Sequence, residues 1–136
     1  MTNIKATIEL SVSPHVDTHQ LQELLRASWE DHIDCDLVER HASSLAYIVA
    51  YVGGDLVGYL NIAHDGCRHA FIVDVTVHPN MRRMGIALGM LKKAVDICTE
   101  RGYEWIHLDF DDHLEPLYRK AGFKIGKSGL FHITNR

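Results

Sequence analysis

The sequence predicts an α/β fold, a single domain built on a sheet of mixed strand direction. Two patterns carry that reading. Residues 45–63 are two apolar, β-branched and aromatic runs separated by Gly53-Gly54-Asp55, the composition of a tight hairpin, so part of the sheet is antiparallel. Residues 70–77 form a strand-like run that passes through Pro79 and a basic turn into a helical pattern over residues 86–101, and residues 105–110 read as a strand again. Strand, helix, strand is a crossover, and crossovers join parallel strands. A chain of 136 residues fits one domain and can bury about two thirds of its unfolded surface.

The elements follow in order. Residues 5–12 alternate and read as a first strand, which Pro14 ends. Asp17 with Gln20 has capping-box spacing, and Leu21, Leu24, Leu25 and Trp29 recur at helical intervals, so a helix is expected to about residue 29 or 31. Residues 32–41 are polar and leave a short second helix open. After the hairpin, residues 64–69 form a turn, and residues 70–77 are apolar on both faces, as in a central strand. Within residues 86–101, Ala87, Met90, Leu91, Ala94, Val95 and Cys98 share a face, and Gly102 is the stop. Leu114, Leu117, Tyr118 and Ala121 mark a short helix, with Pro116 in its first turn and Gly122 after it. Residues 124–133 read as a final strand or pair of short strands. The expected order is β-α-(α)-β-β-β-α-β-α-β, with no repeat, low-complexity segment or linker.

Composition narrows the function classes. The chain is 46% apolar and 24% charged, with a net charge of −4, which argues against a general nucleic-acid footprint. Cys35, Cys67 and Cys98 are an odd set without C-x-x-C spacing, which suits a reducing compartment, and Cys98 falls on an apolar helix face. No apolar run approaches the roughly 18 residues of a membrane span, and the first residues lack the apolar stretch of a signal peptide. A cytoplasmic protein without membrane contact is therefore expected. His64, Cys67 and His69 form an H-x-x-C-x-H cluster, but no second ligand pair stands at zinc spacing, so no metal is expected.

The chemistry concentrates in residues 75–91, VTVHPNMRRMGIALGML. A strand feeds a basic, glycine-bearing turn at a helix N-terminus. The first N–H groups of a helix have no internal partner and the helix dipole adds positive potential, so this is a phosphate site. Gly85 and Ala87 lack bulk, and Arg82 and Arg83 add charge and forked donors. An anionic, phosphate-bearing ligand follows, without a G-x-x-x-x-G-K-[ST] or G-x-G-x-x-G pattern for ordinary nucleotide binding.

Two motifs in this arrangement resemble the GNAT superfamily of acetyltransferases. The R/Q-x-x-G-x-G/A signature stands as Arg82-x-x-Gly85-x-Ala87 after Val77-His78-Pro79, and L-Y-x-x-x-G-F stands as Leu117-Tyr118-Arg119-Lys120-Ala121-Gly122-Phe123. The resemblance implies a GNAT-like sheet with a splayed central strand pair and acetyl-CoA as acyl donor. It implies that backbone amides of Arg82, Arg83, Met84, Gly85, Ile86 and Ala87 hold the pyrophosphate, and that the main chain around Val75 and Val77 pairs with the pantetheine arm. Where the family often has Asn, seven residues before the tyrosine, this chain has Asp111, which accepts but cannot donate a hydrogen bond. A homodimer is also in keeping with the resemblance.

Transfer of acetyl to an amine needs a neutral nucleophile, a polarised carbonyl, a stabilised oxyanion and a leaving thiolate. The resemblance gives Tyr118 the role of acid toward the sulfur. Asp74 on the central strand is the first candidate base, with Asp109, Asp111 and His78 behind it, unless a water chain serves instead. Trp29, Glu30, Asp31 and His32 form either a helix end or a wall of the acceptor site. The acids Asp74, Asp109, Asp111 and Asp112 suit a small cationic primary amine as acceptor. Acetylation of a protein N-terminus or lysine is an alternative within the enzyme class, and a non-catalytic CoA-binding module is the rival outside it.

Overall fold

The computed structural model describes residues 7–134. Its elements are β1 (Ile8–Val12), α1 (Thr18–Ser28), α2 (Leu37–Ala42), β2 (Ala46–Val52), β3 (Asp55–His64), β4 (His69–Val77), α3 (Ile86–Glu100), β5 (Trp105–His107) and α4 (Glu115–Lys120), with short 3-10 turns at Pro79–Met81 and Asp112–Leu114. The strands lie in the order β1-β2-β3-β4-β5. Neighbours from β1 to β4 are antiparallel, and β4 pairs with β5 in parallel. The mixed sheet, the hairpin at Gly53-Gly54 and the crossover through α3 are therefore present as the sequence implied.

Helices cover both faces. On one, Leu21, Leu24 and Leu25 of α1 and Leu37 of α2 pack with Val49 and Tyr59. On the other, Ile86, Met90, Leu91, Ala94 and Cys98 of α3 and Tyr118 of α4 pack on Ile48, Leu60, Ile62, Ala70 and Ile72. Each fully buried Leu or Ile stabilises the fold by about 1.5–3 kcal/mol relative to exposure, and the α3 face holds the larger share. Asp17 caps α1, accepting from His19 N (2.9 Å) and Gln20 N (3.3 Å), and Asp36 caps α2 through Glu39 N (3.0 Å). Short as it is, the open second helix is formed.

Four expectations are corrected. Helix α1 ends at Ser28, because Trp29 turns into extended backbone. The outer face of β4 is not buried throughout: Phe71 is 38% exposed and Asp74 is open to solvent. Strand β5 stops at His107, not residue 110. The final strand expected over residues 124–133 does not form. Phe123 and Ile125 still pack on the α3 face, but Gly126 and Gly129 follow, and no hydrogen-bonded partner lies beside the segment. The part of the first strand expected at Lys5 lies outside the described residues.

One contact on the α1/α2 face responds to pH. His41 stacks on Tyr47 (centroids 3.8 Å apart) and hydrogen-bonds the Tyr59 hydroxyl at 2.8 Å. Burial, then the Arg40 charge, hold its pKa below the ordinary 6.5. The unfolded chain therefore takes up a proton on this residue that the folded chain resists. The stabilisation is complete above about pH 6.5 and is lost as pH falls from there toward the depressed folded value. The urea midpoint difference between the wild type and His41→Gln is expected to shrink between about pH 7.5 and 5.5; a difference independent of pH would contradict this.

Candidate active site

The site begins with a break in β4. Thr76 pairs with Tyr59 and Val73 with Asn61, so two residues of β4, Asp74 and Val75, stand opposite the single Leu60. This is a β-bulge, and Asp74 adopts the left-handed φ of 55° that it requires. The extra residue rephases the strand. Ala70 and Ile72 face α3 before it, and Val75 and Val77 face α3 after it. Side chains from the α1/α2 face hold the bulge: Arg40 Nη1 donates to Asp74 Oδ2 (2.7 Å), Thr76 Oγ1 donates to the Asp74 carbonyl (2.8 Å), and Trp29 Nε1 donates to Thr76 Oγ1 (2.9 Å).

Beyond the bulge the sheet opens. Strands β4 and β5 pair at only three positions, from His69↔Trp105 to Phe71↔His107, yet β4 continues to Val77. The His78 N–H bonds Val57 O at 2.8 Å, so Val77, one residue earlier, turns its own N–H and C=O away from β3. That edge of β4 has no strand partner among the described residues. It is free to pair with an extended ligand.

Next to this edge, α3 begins. Its N-cap is Gly85 at φ 79°, which supplies no side-chain acceptor, and its first turn contains no acid. The leading amides of α3 are thus left uncapped. Arg83 also has a positive φ (65°), so the turn folds back just before the helix. Arg82 and Arg83 are exposed, and neither has an ion-pair partner among the described residues. A Cβ on Gly85 would meet nothing within 4 Å, so glycine is needed there for its backbone conformation, not for room.

Gly58 is a site residue that the sequence analysis missed. A Cβ there would lie 2.9 Å from Ala50 Cβ, 3.1 Å from Ile86 Cγ2 and 3.2 Å from Met90 Cε. The missing side chain lets the first turn of α3 settle against β3. Gly58→Ala is expected to cost about 1–3 kcal/mol in urea unfolding, since Ala50 Cβ is fixed to the backbone and cannot yield. An unchanged midpoint would show that the helix packs elsewhere.

On the same face, a helix ending positions Tyr118. The Phe123 N–H bonds the Tyr118 carbonyl (3.0 Å) and the Gly122 N–H bonds the Arg119 carbonyl (3.0 Å), with Gly122 at φ 100°. This is a Schellman motif, and its usual apolar contact is the edge-to-face packing of Phe123 on Tyr118, centroids 6.3 Å apart. Phe110 stacks on the other side at 4.6 Å. The L-Y-x-x-x-G-F pattern is thus a device for fixing one ring. Tyr118 is 3% exposed, and its hydroxyl has no hydrogen-bond partner among the described residues. Burial first, then the charges of Asp109 and Asp111, push its pKa up to about 12.

The structure brings Tyr118, Asp109 and Asp111 together and leaves Asp74 apart. The Asp74 carboxylate faces α2 and is paired with Arg40, on the sheet face opposite Tyr118. His78 caps the turn after β4, its Nδ1 accepting from Asn80 N at 3.1 Å. Trp29 braces the bulge through Thr76, His32 meets Gln22 at 2.9 Å, and Glu30 and Asp31 are exposed. The H-x-x-C-x-H residues are separately engaged: His64 with the Tyr103 hydroxyl (2.6 Å) and His69 with His107 (2.8 Å), around a turn organised by Asp65. Among the described residues, no group of three His, Cys, Asp or Glu side chains is arranged to hold a metal ion.

The model of the acetyltransferase (GNAT) family matches residues 7–123. The chain belongs to this family. Two GNAT relatives share shorter stretches. A chloroplastic GCN5-related N-acetyltransferase of Arabidopsis thaliana is 36% identical over 67 residues, 47% of this chain and 23% of the relative. A mycothiol acetyltransferase of Mycolicibacterium vanbaalenii is 34% identical over 84 residues, 62% of this chain and 26% of the relative. The chain spans about a quarter of the length of these relatives. Among solved structures, a Trypanosoma brucei acetyltransferase superposes with a TM-score of 0.78 at 21% identity, covering 93% of this chain and 99% of that one. An aminoglycoside N-acetyltransferase in complex with CoA gives 0.77 at 16% identity and covers 100% of both chains. At these identities the likeness is one of GNAT fold.

Proposed function

We propose that the chain is an acetyl-CoA-dependent N-acetyltransferase that moves acetyl to a small, cationic primary amine by direct attack. The observation that carries this reading is the adjacency of two vacant hydrogen-bonding surfaces. One is the uncapped start of α3 beside the unpaired Arg82 and Arg83; the other is the free edge of β4. The first matches a diphosphate and the second an extended amide-bearing arm, so together they fit coenzyme A. Amides of residues 82–87 hold the diphosphate, and the main chain at Val75 and Val77 aligns the arm.

In the reaction, the amine lone pair attacks the thioester carbonyl carbon, a C–N bond forms and the C–S bond breaks. Tyr118 donates its proton to the departing sulfur and recovers one from water, while the nitrogen releases a proton to water. A phenol with its pKa near 12 stays protonated through the working range, so it serves as acid and not as base. The burial and carboxylates that raise it also raise the basicity of a sulfur held beside it, keeping donor and acceptor matched. Asp109, Asp111 and Asp112 are exposed and attract an ammonium group toward this end of the sheet. Asp74, tied to Arg40, maintains the bulge that frees the β4 edge and is not the base. Asp111 lies where the family often has Asn, and it acts through its charge on Tyr118.

The test is thiol release from acetyl-CoA across a panel of diamines, polyamines, aminoglycosides and lysine peptides. Turnover highest with small polycations supports the reading. CoA binding without turnover of any amine would leave a binding module instead.

A further inference from the structure

The end of the chain has three parts of different character. Phe123 and Ile125 are anchored against the α3 face. Residues 126–129 are Gly-Lys-Ser-Gly, with open space around both glycines. Beyond this hinge, Leu130, Phe131 and Ile133 are 78%, 89% and 88% exposed, the most exposed large apolar side chains among the described residues. They lie in no strand. Strand β5, one helix earlier, is the last strand of the sheet, so its outer N–H and C=O groups have no ladder partner, and Trp105 on it is 57% exposed.

We propose that residues 130–133 of one copy add as a strand to the free β5 edge of a second copy, and that the second returns the same contact. An edge strand is a template for an extended segment, which gains main-chain hydrogen bonds and buries alternate side chains. The folded chain leaves its own tail and its own β5 apart although a single helix joins them, and the glycine hinge lets the tail point outward. Charge favours the pairing. From residue 124 onward the chain carries Lys124, Lys127 and Arg136 and no acid, whereas β5 and the loop after it are flanked by Glu104, Asp109, Asp111 and Asp112. Because the exchange is reciprocal, it closes as a two-fold pair and does not propagate. The proposal is independent of the acetyl-transfer reading.

Sedimentation of the whole chain in the micromolar range tests it, beside Phe131→Asp/Ile133→Asp. Both positions are solvent-exposed, so far-UV circular dichroism is expected to be unchanged. The wild type is expected to sediment as two copies and the variant as one. A 1:1 mixture of nitrogen-15 and natural-abundance chains, joined by a zero-length carbodiimide, is expected to give mixed-isotope links from Lys127 to carboxylates of residues 104–112. A wild type that sediments as one copy would overturn the proposal. So would a variant that remains paired, or links confined to one isotope.

Discussion

Tyr118→Phe is expected to lower the single-turnover rate of acetyl transfer by roughly 10²–10⁴, the usual effect of deleting a general acid. Acetyl-CoA affinity is expected to change little. The ring is what packs between Phe110 and Phe123, and phenylalanine preserves both contacts along with the Schellman ending. Only the hydroxyl is lost, and it has no partner in the folded chain whose loss would disturb the site. Single-turnover measurement matters because slow product release hides a chemical defect in kcat. A variant with the wild-type single-turnover rate would remove Tyr118 from the reaction. The raised pKa adds a second signature: activity is not expected to fall on an alkaline limb from Tyr118 until pH approaches about 12.

The second large effect concerns binding. Arg82→Glu/Arg83→Glu is expected to weaken coenzyme A by about 10²-fold. Two charge-assisted hydrogen bonds are worth about 1.5–3 kcal/mol each, which gives 10²–10⁴ in affinity, and the exposure of both side chains places the effect at the lower end. The loss is expected to diminish as salt is added. The single-turnover rate at saturating acetyl-CoA is expected to hold, because neither arginine neighbours Tyr118 in the ring packing or the charge interactions of that residue. Affinity equal to the wild type at low salt would separate the arginines from the ligand.

Features written in neighbouring residues were legible before the fold was known. Pro79, Gly85 and the periodicity from Ile86 specify a turn and a helix start. Gly102 and Gly122 stop helices by accepting positive φ at 79° and 100°. The tyrosine motif is legible for the same reason, since all the hydrogen bonds that fix it lie between residues 117 and 123. What escaped depends on distant partners. Residues 70–77 read as uniform strand because nothing local announces a bulge at Asp74; Arg40, Thr76 and Trp29 define it, two of them far along the chain. Gly58 looked like any strand glycine until Ala50, Ile86 and Met90 closed around its missing side chain. Asp74 was a reasonable candidate base by composition alone, and its pairing with Arg40 on the face away from Tyr118 gives it another task. The alternation in residues 124–133 suggested a strand, but a strand needs a free edge to join, and the chain offers its own β5 none of that pairing.

Calorimetry on the folded wild type, titrated in parallel with coenzyme A and with pantetheine, bears most directly on the grip of the α3 start on a diphosphate. Coenzyme A is expected to bind with an affinity that drops by at least about tenfold for pantetheine, which keeps the arm and loses the phosphates, and the difference is expected to vanish in Arg82→Glu/Arg83→Glu. Equal binding of the two compounds, or no heat from coenzyme A at all, would contradict it.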